Sequence, residues 1–316
     1  MDERISVLGG GVAGLCAALA LAERGLEVEL IVPEGAPPPA SKLAGGMLAP
    51  FCEGESAPPE ITRRGQAALG WWRARTASFR QSGTLVLAPP RDRAELTRFA
   101  RATTGQTLVD PGTLEPELSG RFASGLFFAE EAHLDPGAAM ADLRAALAAR
   151  GVRRHGGAPS GRIVDCRGMA ARDRLPDLRA VRGEMLELHA PGVRLTRTIR
   201  LLHPRFACYI VPRAAGRYMI GATMIESADP GPVTARAVME LLSAAYTVHP
   251  GFADAALISA GAGLRPAFPD NLPALRRTPG RIHLNGMYRH GFLMAPVLAE
   301  DLADEIVAQR EKTHAN

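Results

Sequence analysis

The chain has 316 residues, enough to bury a full core in one or two domains. Its 47% hydrophobic and 22% charged residues are ordinary for a globular protein, and the net charge of +4 rests on arginine, since Lys42 and Lys312 are the only lysines. No run of five or more basic residues occurs and the apolar stretch 12–22 is too short to span a bilayer, so neither a nucleic-acid partner nor a membrane anchor is expected.

Ile5-Ser6-Val7-Leu8 is a short apolar run suited to a buried parallel strand, and it enters the turn Gly9-Gly10-Gly11-Val12-Ala13-Gly14. Val12 to Arg24, rich in Ala and Leu, predicts a helix stopped by Gly25, and Glu27 to Val32 predicts a second strand. Strand, turn, helix and strand follow at the spacing of a dinucleotide-binding fingerprint. Gly9 allows the tight turn, Gly11 lets backbone approach a pyrophosphate, and Gly14 lets helix pack on strand. The N–H groups of the helix start then face the phosphate charge. An acid that holds the ribose should end the second strand, where Val32 stands. Glu34, beyond Pro33, either takes over that role or is a solvated loop carboxylate.

Gly35 to Pro39 is a proline-rich connector. Ser41 to Pro50, with Gly45 and Gly46, either admits close approach to a flat ligand or is a helix terminus packed on the sheet. A helix is expected over Ile61–Arg80, with Trp71 and Trp72 in a core or interface. A strand over Thr84–Ala88, a helix over Asp92–Thr103 and an extended segment over Gly125–His133 follow. Asp135-Pro136 has the form of an N-cap and first-turn proline, starting a helix that runs to Arg150. Gly151–Gly161 is a short loop, and Arg162–Gly168 a strand ending in a glycine turn. Val181–Leu188, Phe206–Arg213 and Arg217–Ile225 are strands, the last two a hairpin through Ala214-Ala215-Gly216. In that hairpin Tyr209 opposes Ala222 and Met224 lies two residues further on the same face, lining either a pocket or the core. A helix over Val233–Val248, a strand over Arg281–Asn285 and a helix over Phe292–Ala308 complete the chain.

The element order predicts an α/β plus α+β fold. A discontinuous Rossmann-type nucleotide-binding domain is expected from residues 1–80, 134–180 and 258–316. A substrate domain with a mixed or antiparallel sheet is expected from 81–133 and 181–257. Met1-Asp2-Glu3-Arg4 lacks a basic leader, and Cys16, Cys52, Cys166 and Cys208 stand singly, without Cys-x-x-Cys or zinc-like spacing. A reduced, cytoplasmic protein without a metal centre is the expectation.

Six motifs occur in a set order: Gly46-Met47-Leu48-Ala49-Pro50, Arg182-Gly183-Glu184-Met185, Cys208-Tyr209-Ile210-Val211-Pro212-Arg213, Gly221-Ala222-Thr223-Met224, Gly263-Leu264-Arg265-Pro266 and Arg289-His290-Gly291-Phe292-Leu293-Met294-Ala295-Pro296. In this the chain resembles, over nearly its whole length, the FAD-dependent D-amino acid oxidase superfamily. Within it, it is similar to the glycine oxidase group of thiamine (thiazole) biosynthesis. The resemblance implies non-covalently bound FAD. It puts Gly9, Gly11, Val12, Ala13 and Gly14 at the pyrophosphate, and Ala40, Ser41, Gly45, Gly46 and Met47 beside the isoalloxazine. Gly168 falls at the adenosine half, and Met287, Tyr288, Arg289, His290, Gly291, Phe292 and Leu293 at the pyrimidine edge of the flavin. It also makes Arg265 the substrate-carboxylate ligand, Arg289 a second substrate contact, and Tyr209 and Met224 pocket-lining residues. The chain departs from the pattern at Val32 and in being short between Arg150 and Arg162, where relatives carry additional strands.

The implied activity is FAD-dependent oxidative deamination of glycine, or a similarly small amine, to the imine. Oxygen is the implied acceptor, with hydrogen peroxide as product. The planar fork of an arginine matches the two oxygens of a carboxylate. His133, His203 and His290 are not required as bases, because the flavin can take hydride directly from a substrate whose amine is neutral. A D-amino acid or sarcosine-type oxidase or dehydrogenase is the close alternative, and an FAD-binding assembly subunit the non-enzymatic one. A homo-oligomeric state is carried over from the family.

Overall fold

The computed structural model describes residues 4–203 and 208–314; Phe206, expected to open a strand, lies outside them. The expected strand–turn–helix–strand unit forms as β1 (Ile5–Leu8), α1 (Val12–Glu23) and β2 (Val28–Ile31), and the two strands pair in parallel. A 3₁₀ turn over Ala40–Leu43 then leads to β3 (Met47–Leu48), α2 (Pro50–Glu53) and α3 (Pro59–Arg73). α3 ends at Arg73 rather than Arg80, and Arg80 forms an antiparallel bridge to His133 instead.

β4 (Thr84–Leu87), α4 (Arg93–Ala102), β5 (Thr107–Val109), α5 (Pro111–Leu114), β6 (Gly125–Phe128) and β7 (Ala132–His133) come next. The segment 125–133 is therefore two strands, parted where the Glu131 N–H turns back to the Phe128 carbonyl. α6 (Pro136–Ala149) starts as expected, with Asp135 Oδ1 accepting the Ala138 N–H at 3.0 Å. The expected loop 151–161 instead contains β8 (Arg153–His155), paired in parallel with β2. Its Arg-Arg-His sequence carries no apolar signal. What anchors it is buried Glu29 of β2, which accepts hydrogen bonds from Ser6, Ser160 and Arg153 and pairs with His155. Burial opposes that charge, yet these partners hold the carboxyl down at about 2.

The remaining elements are β9 (Arg162–Asp165), β10 (Arg179–His189), β11 (Thr198–Leu201), β12 (Cys208–Pro212), β13 (Arg217–Gly221), β14 (Ile225–Glu226), α7 (Ala235–Val248), β15 (Ala256–Ala267), β16 (Ala274–Thr278), β17 (Arg281–Asn285) and α8 (Gly291–His314). A six-stranded sheet runs in the order β16-β17-β9-β1-β2-β8, parallel except for β16. A nine-stranded mixed sheet runs β14-β10-β13-β12-β11-β4-β6-β5, with β15 also on β10. β3 and β7 pair separately. Residues 258–267, expected with the nucleotide-binding part, thus lie in β15 and pair with β10 of the larger sheet.

α1 is buried on nearly all sides because it packs on the smaller sheet and beneath α8 and α6, so it shows no polar face. α7 covers the larger sheet, packing Leu241, Ala245 and Val248 against Ile210 and Ile220. Pro296 lies inside α8 and cannot bond the carbonyl of Phe292. That carbonyl accepts the Trp72 indole N–H instead, at 2.7 Å, so no buried acceptor is left over. Among the described residues no helix is long and apolar enough to cross a membrane.

Candidate active site

At the nucleotide end, β1 delivers the chain into Gly9, whose φ of 107° only glycine adopts readily. A Cβ there would lie 2.6 Å from the carbonyl oxygen of Cys166, and one at Gly14 would overlap the carbonyl oxygen of Gly9. β1, α1 and the end of β9 therefore meet backbone to backbone. Gly11 caps α1 without a side-chain hydrogen bond, and the first turn, with Val12, Ala13 and Gly14, carries no acid. Ser41 reaches over from the 3₁₀ turn to accept the Val12 N–H at 3.1 Å. Val32 packs its methyls against Gly10, while Glu34 is exposed. Beyond β9, Gly168 has φ 60° and its carbonyl accepts from Asn285 Nδ2 at 3.0 Å. Asp165, fully buried, is gripped by Arg167 at 2.7 Å and Arg281 at 3.0 Å. Burial works against its charge, but the Arg167 hydrogen bonds outweigh it and lower its pKa.

In the middle of the site, Leu43 of the Ala40–Leu43 turn packs on Gly261 and Gly263 of β15. Gly45 lies under the Tyr209 ring, where a Cβ would come within 2.6 Å of it. Gly46 has φ 69° and sits on the Leu134 carbonyl, and Met47 pairs with His133. Arg213 donates to the Gly45 carbonyl at 2.7 Å and the Leu134 carbonyl at 3.0 Å. Sequence reasoning missed this residue; it stood in a quoted motif, but nothing local says where its side chain goes.

At the far end, Arg265 lies within the long strand β15, opposite Val181. Its guanidinium fills the space over Gly183 and donates to the Thr223 carbonyl at 3.0 Å. Among the described residues no carboxylate pairs with it. Tyr209 opposes Gly221 rather than Ala222, so the hairpin is one residue out of the expected register, and β13 stops there. Met224 consequently leaves the sheet and is 51% exposed. Its sulfur accepts from the Tyr288 hydroxyl at 3.4 Å and from Arg289 at 3.8 Å. Burial raises the pKa of Tyr209, with the neighbouring Arg265 charge pulling it down.

Arg289 is already committed: it pairs with Glu53 at 2.8 Å and donates to Ser56 at 2.7 Å. Buried His290 lies 3.5 Å from the same carboxylate, and burial, partly offset by Glu53, lowers its pKa. Met287 is buried, and Tyr288, at φ 46°, donates its N–H to the Pro266 carbonyl at 2.7 Å. Gly291 opens α8, while Phe292 and Leu293 point into the core, which leaves only their backbone for a ligand.

A phosphate-type turn at a helix start, joined through a glycine segment to a tyrosine and to an arginine without a carboxylate partner among the described residues, suits a nucleotide-cofactor enzyme. The chain belongs to the family of FAD dependent oxidoreductases (DAO), whose model matches residues 4–305. It is 49% identical over 318 residues to the thiamine biosynthesis oxidoreductase ThiO of Rhizobium etli, covering 97% of each chain. It is 36% identical over 140 residues to glycine oxidase of Bacillus licheniformis, covering 42% of this chain and 36% of that one. The structure of glycine oxidase from Bacillus cereus superposes with a TM-score of 0.82 at 22% identity, over 98% of this chain and 96% of that one. The protein is accordingly an FAD-dependent oxidoreductase. The acid-free start of α1, whose cap residue Gly11 has no side chain, and the Cβ-free contacts at Gly9 and Gly14 fit that cofactor's phosphates.

Proposed function

We propose that the chain is an amino acid oxidase that deaminates glycine, or a similarly small amine, to the imine, with oxygen reduced to hydrogen peroxide, in service of thiamine thiazole synthesis. The observation that carries this reading is Arg265, a half-buried guanidinium beside Tyr209 with no carboxylate partner among the described residues. A half-buried fork of this kind is matched by a small substrate's carboxylate. Both sequence relatives named above bear names that agree with it.

In this reading the α1 start, with Gly9, Gly11, Val12, Ala13 and Gly14, holds the pyrophosphate of non-covalently bound FAD. The segment Ala40, Ser41, Gly45, Gly46 and Met47 flanks the flavin, Gly168 the adenosine half, and the backbone of 287–293 the pyrimidine edge. Bound FAD supplies the hydride-accepting chemistry. Arg265 binds the carboxylate through two parallel hydrogen bonds, and Tyr209, kept protonated by its raised pKa, donates a third. Met224 and Tyr288 close the outer side, while Arg289, held by Glu53, adds a second contact. No protein base is needed for a substrate whose amine arrives neutral. The test is the visible spectrum of the purified protein before and after anaerobic addition of glycine, followed by oxygen or an artificial acceptor. Bleaching by glycine and recovery in air with peroxide support the reading. A flavin that no small amine bleaches overturns it in favour of an assembly subunit.

A further inference from the structure

Arg213 closes the Tyr-Ile-Val-Pro-Arg run that carries Tyr209, yet the proposed chemistry gives it nothing to do. Its side chain is only 6% exposed. A cation so far from water is costly unless paired, and its ion pair with Asp135, at 3.6 Å from its Nε, is too long for a hydrogen bond. The two ends of the guanidinium go instead to main-chain carbonyls, Gly45 at 2.7 Å and Leu134 at 3.0 Å.

Those two carbonyls lie on segments that meet at Gly46, where the Leu134 N–H donates to the Gly46 carbonyl at 2.9 Å. Gly45 is buried and precedes β3, so its carbonyl has no strand partner and would be orphaned without Arg213. On its other side Gly45 touches the Tyr209 ring. A single fork thus joins the strand that carries Tyr209, the glycine segment, and the turn that starts α6. An apolar side chain fills that volume but satisfies neither carbonyl, and an ammonium is a point charge without the fork's span.

We propose that Arg213 is a positioning residue that fixes the Gly45–Met47 backbone against the Tyr209 ring, and so sets the spacing between the flavin-flanking segment and the substrate-binding strand. This rests on the reading of the site as an FAD-dependent amino acid oxidase. The test compares full-length holoenzyme, parent against Arg213→Met and Arg213→Lys, by hydrogen exchange, FAD dissociation constant, and kcat and KM at saturating FAD. Exchange in 45–48 and 133–135 is expected to accelerate about 10-fold or more in Arg213→Met, the loss of charged hydrogen bonds, while β1 and α1 keep the parent rates. FAD affinity falls by about 10-fold, and Arg213→Lys lies between the two. If Arg213→Met does not fold, Arg213→Lys carries the comparison, with the same local acceleration as the supporting result. Parent exchange and parent FAD affinity in either variant overturn the proposal, as does acceleration spread evenly through β1 and α1. Failure of the enzymatic reading shows separately, as a parent flavin that no amine bleaches, and leaves the exchange and FAD arms to judge Arg213.

Discussion

At the nucleotide end, Gly9 to Gly14 lie on one continuous stretch of chain and present backbone, with side chains excluded at Gly9 and Gly14 by direct contact with carbonyl oxygens. At the proposed substrate end, Tyr209, Arg265 and Arg289 come from β12, β15 and the turn before α8, and each is set by a different partner: Gly45, the Thr223 carbonyl and Glu53. The first region depends on the absence of side chains at Gly9 and Gly14, where an addition meets backbone. In the proposed function the second works by particular side chains, so removal of one should cost activity. The arginines sharpen the contrast: Arg265 and Arg289 have the same chemistry, but only Arg289 has a carboxylate partner in the protein among the described residues.

The comparison breaks most plainly at Gly14. A methyl added there overlaps the Gly9 carbonyl, and neither backbone can yield without parting α1 from β1. Gly14→Ala should cost about 3 kcal/mol or more and purify without FAD; a yellow, stable variant would show that the turn relaxes. At the other end, Arg265→Ala should keep FAD but lose about 30- to 5,000-fold in kcat/KM for glycine, the worth of a desolvated charged pair at about 2–5 kcal/mol. Arg265→Lys should stay impaired, and amines lacking a carboxylate should be little affected by either change. Near-parent turnover of glycine by Arg265→Ala would move the carboxylate site elsewhere.

A smaller effect concerns the support of the substrate end. Glu131 accepts the Cys52 N–H of α2 at 2.7 Å, and α2 presents Glu53 to Arg289. Burial raises the Glu131 pKa from 4.5 to about 7 despite that hydrogen bond. The folded protein thus holds a proton that the unfolded chain gives up, and stability falls as pH rises from 4.5 to about 7. Glu131→Gln should remove that slope, gaining on the order of 1–3 kcal/mol on the parent between acid and about pH 8 in urea melts. Parallel pH profiles for the two proteins would mean that Glu131 titrates normally. The smallest change is a gain at the nucleotide end. Val32→Glu places a carboxylate at the end of β2 and should tighten FAD by about 1–2 kcal/mol. If it does not, while Glu34→Ala weakens binding, Glu34 holds the ribose.

The two regions also differ in how far they could be read in advance. β1, α1 and β17 start where the residues indicate, and Asp135 caps α6, because strand runs, helix formers and caps act over a few residues. Arg265 was singled out by its motif, but its place in β15 and its lack of a carboxylate partner among the described residues were not legible. β15 pairs with β10 along its length, a contact across distant chain that leaves no local pattern. β8 was missed for the same reason: its anchor, Glu29, belongs to another strand.

The sequence by itself determined the nucleotide turn, the fold class and the identity of the arginine and tyrosine candidates. In each case the information lies in backbone permission or residue chemistry within a short span. Only the tertiary structure decided the register that puts Tyr209 opposite Gly221, the pairing of Arg289 with Glu53, the placement of Met224 on Tyr288, and the grip of Arg213 on two carbonyls. These depend on which strands become neighbours. A one-residue slip in a hairpin exchanges the faces of every side chain beyond it, and no local propensity encodes that choice.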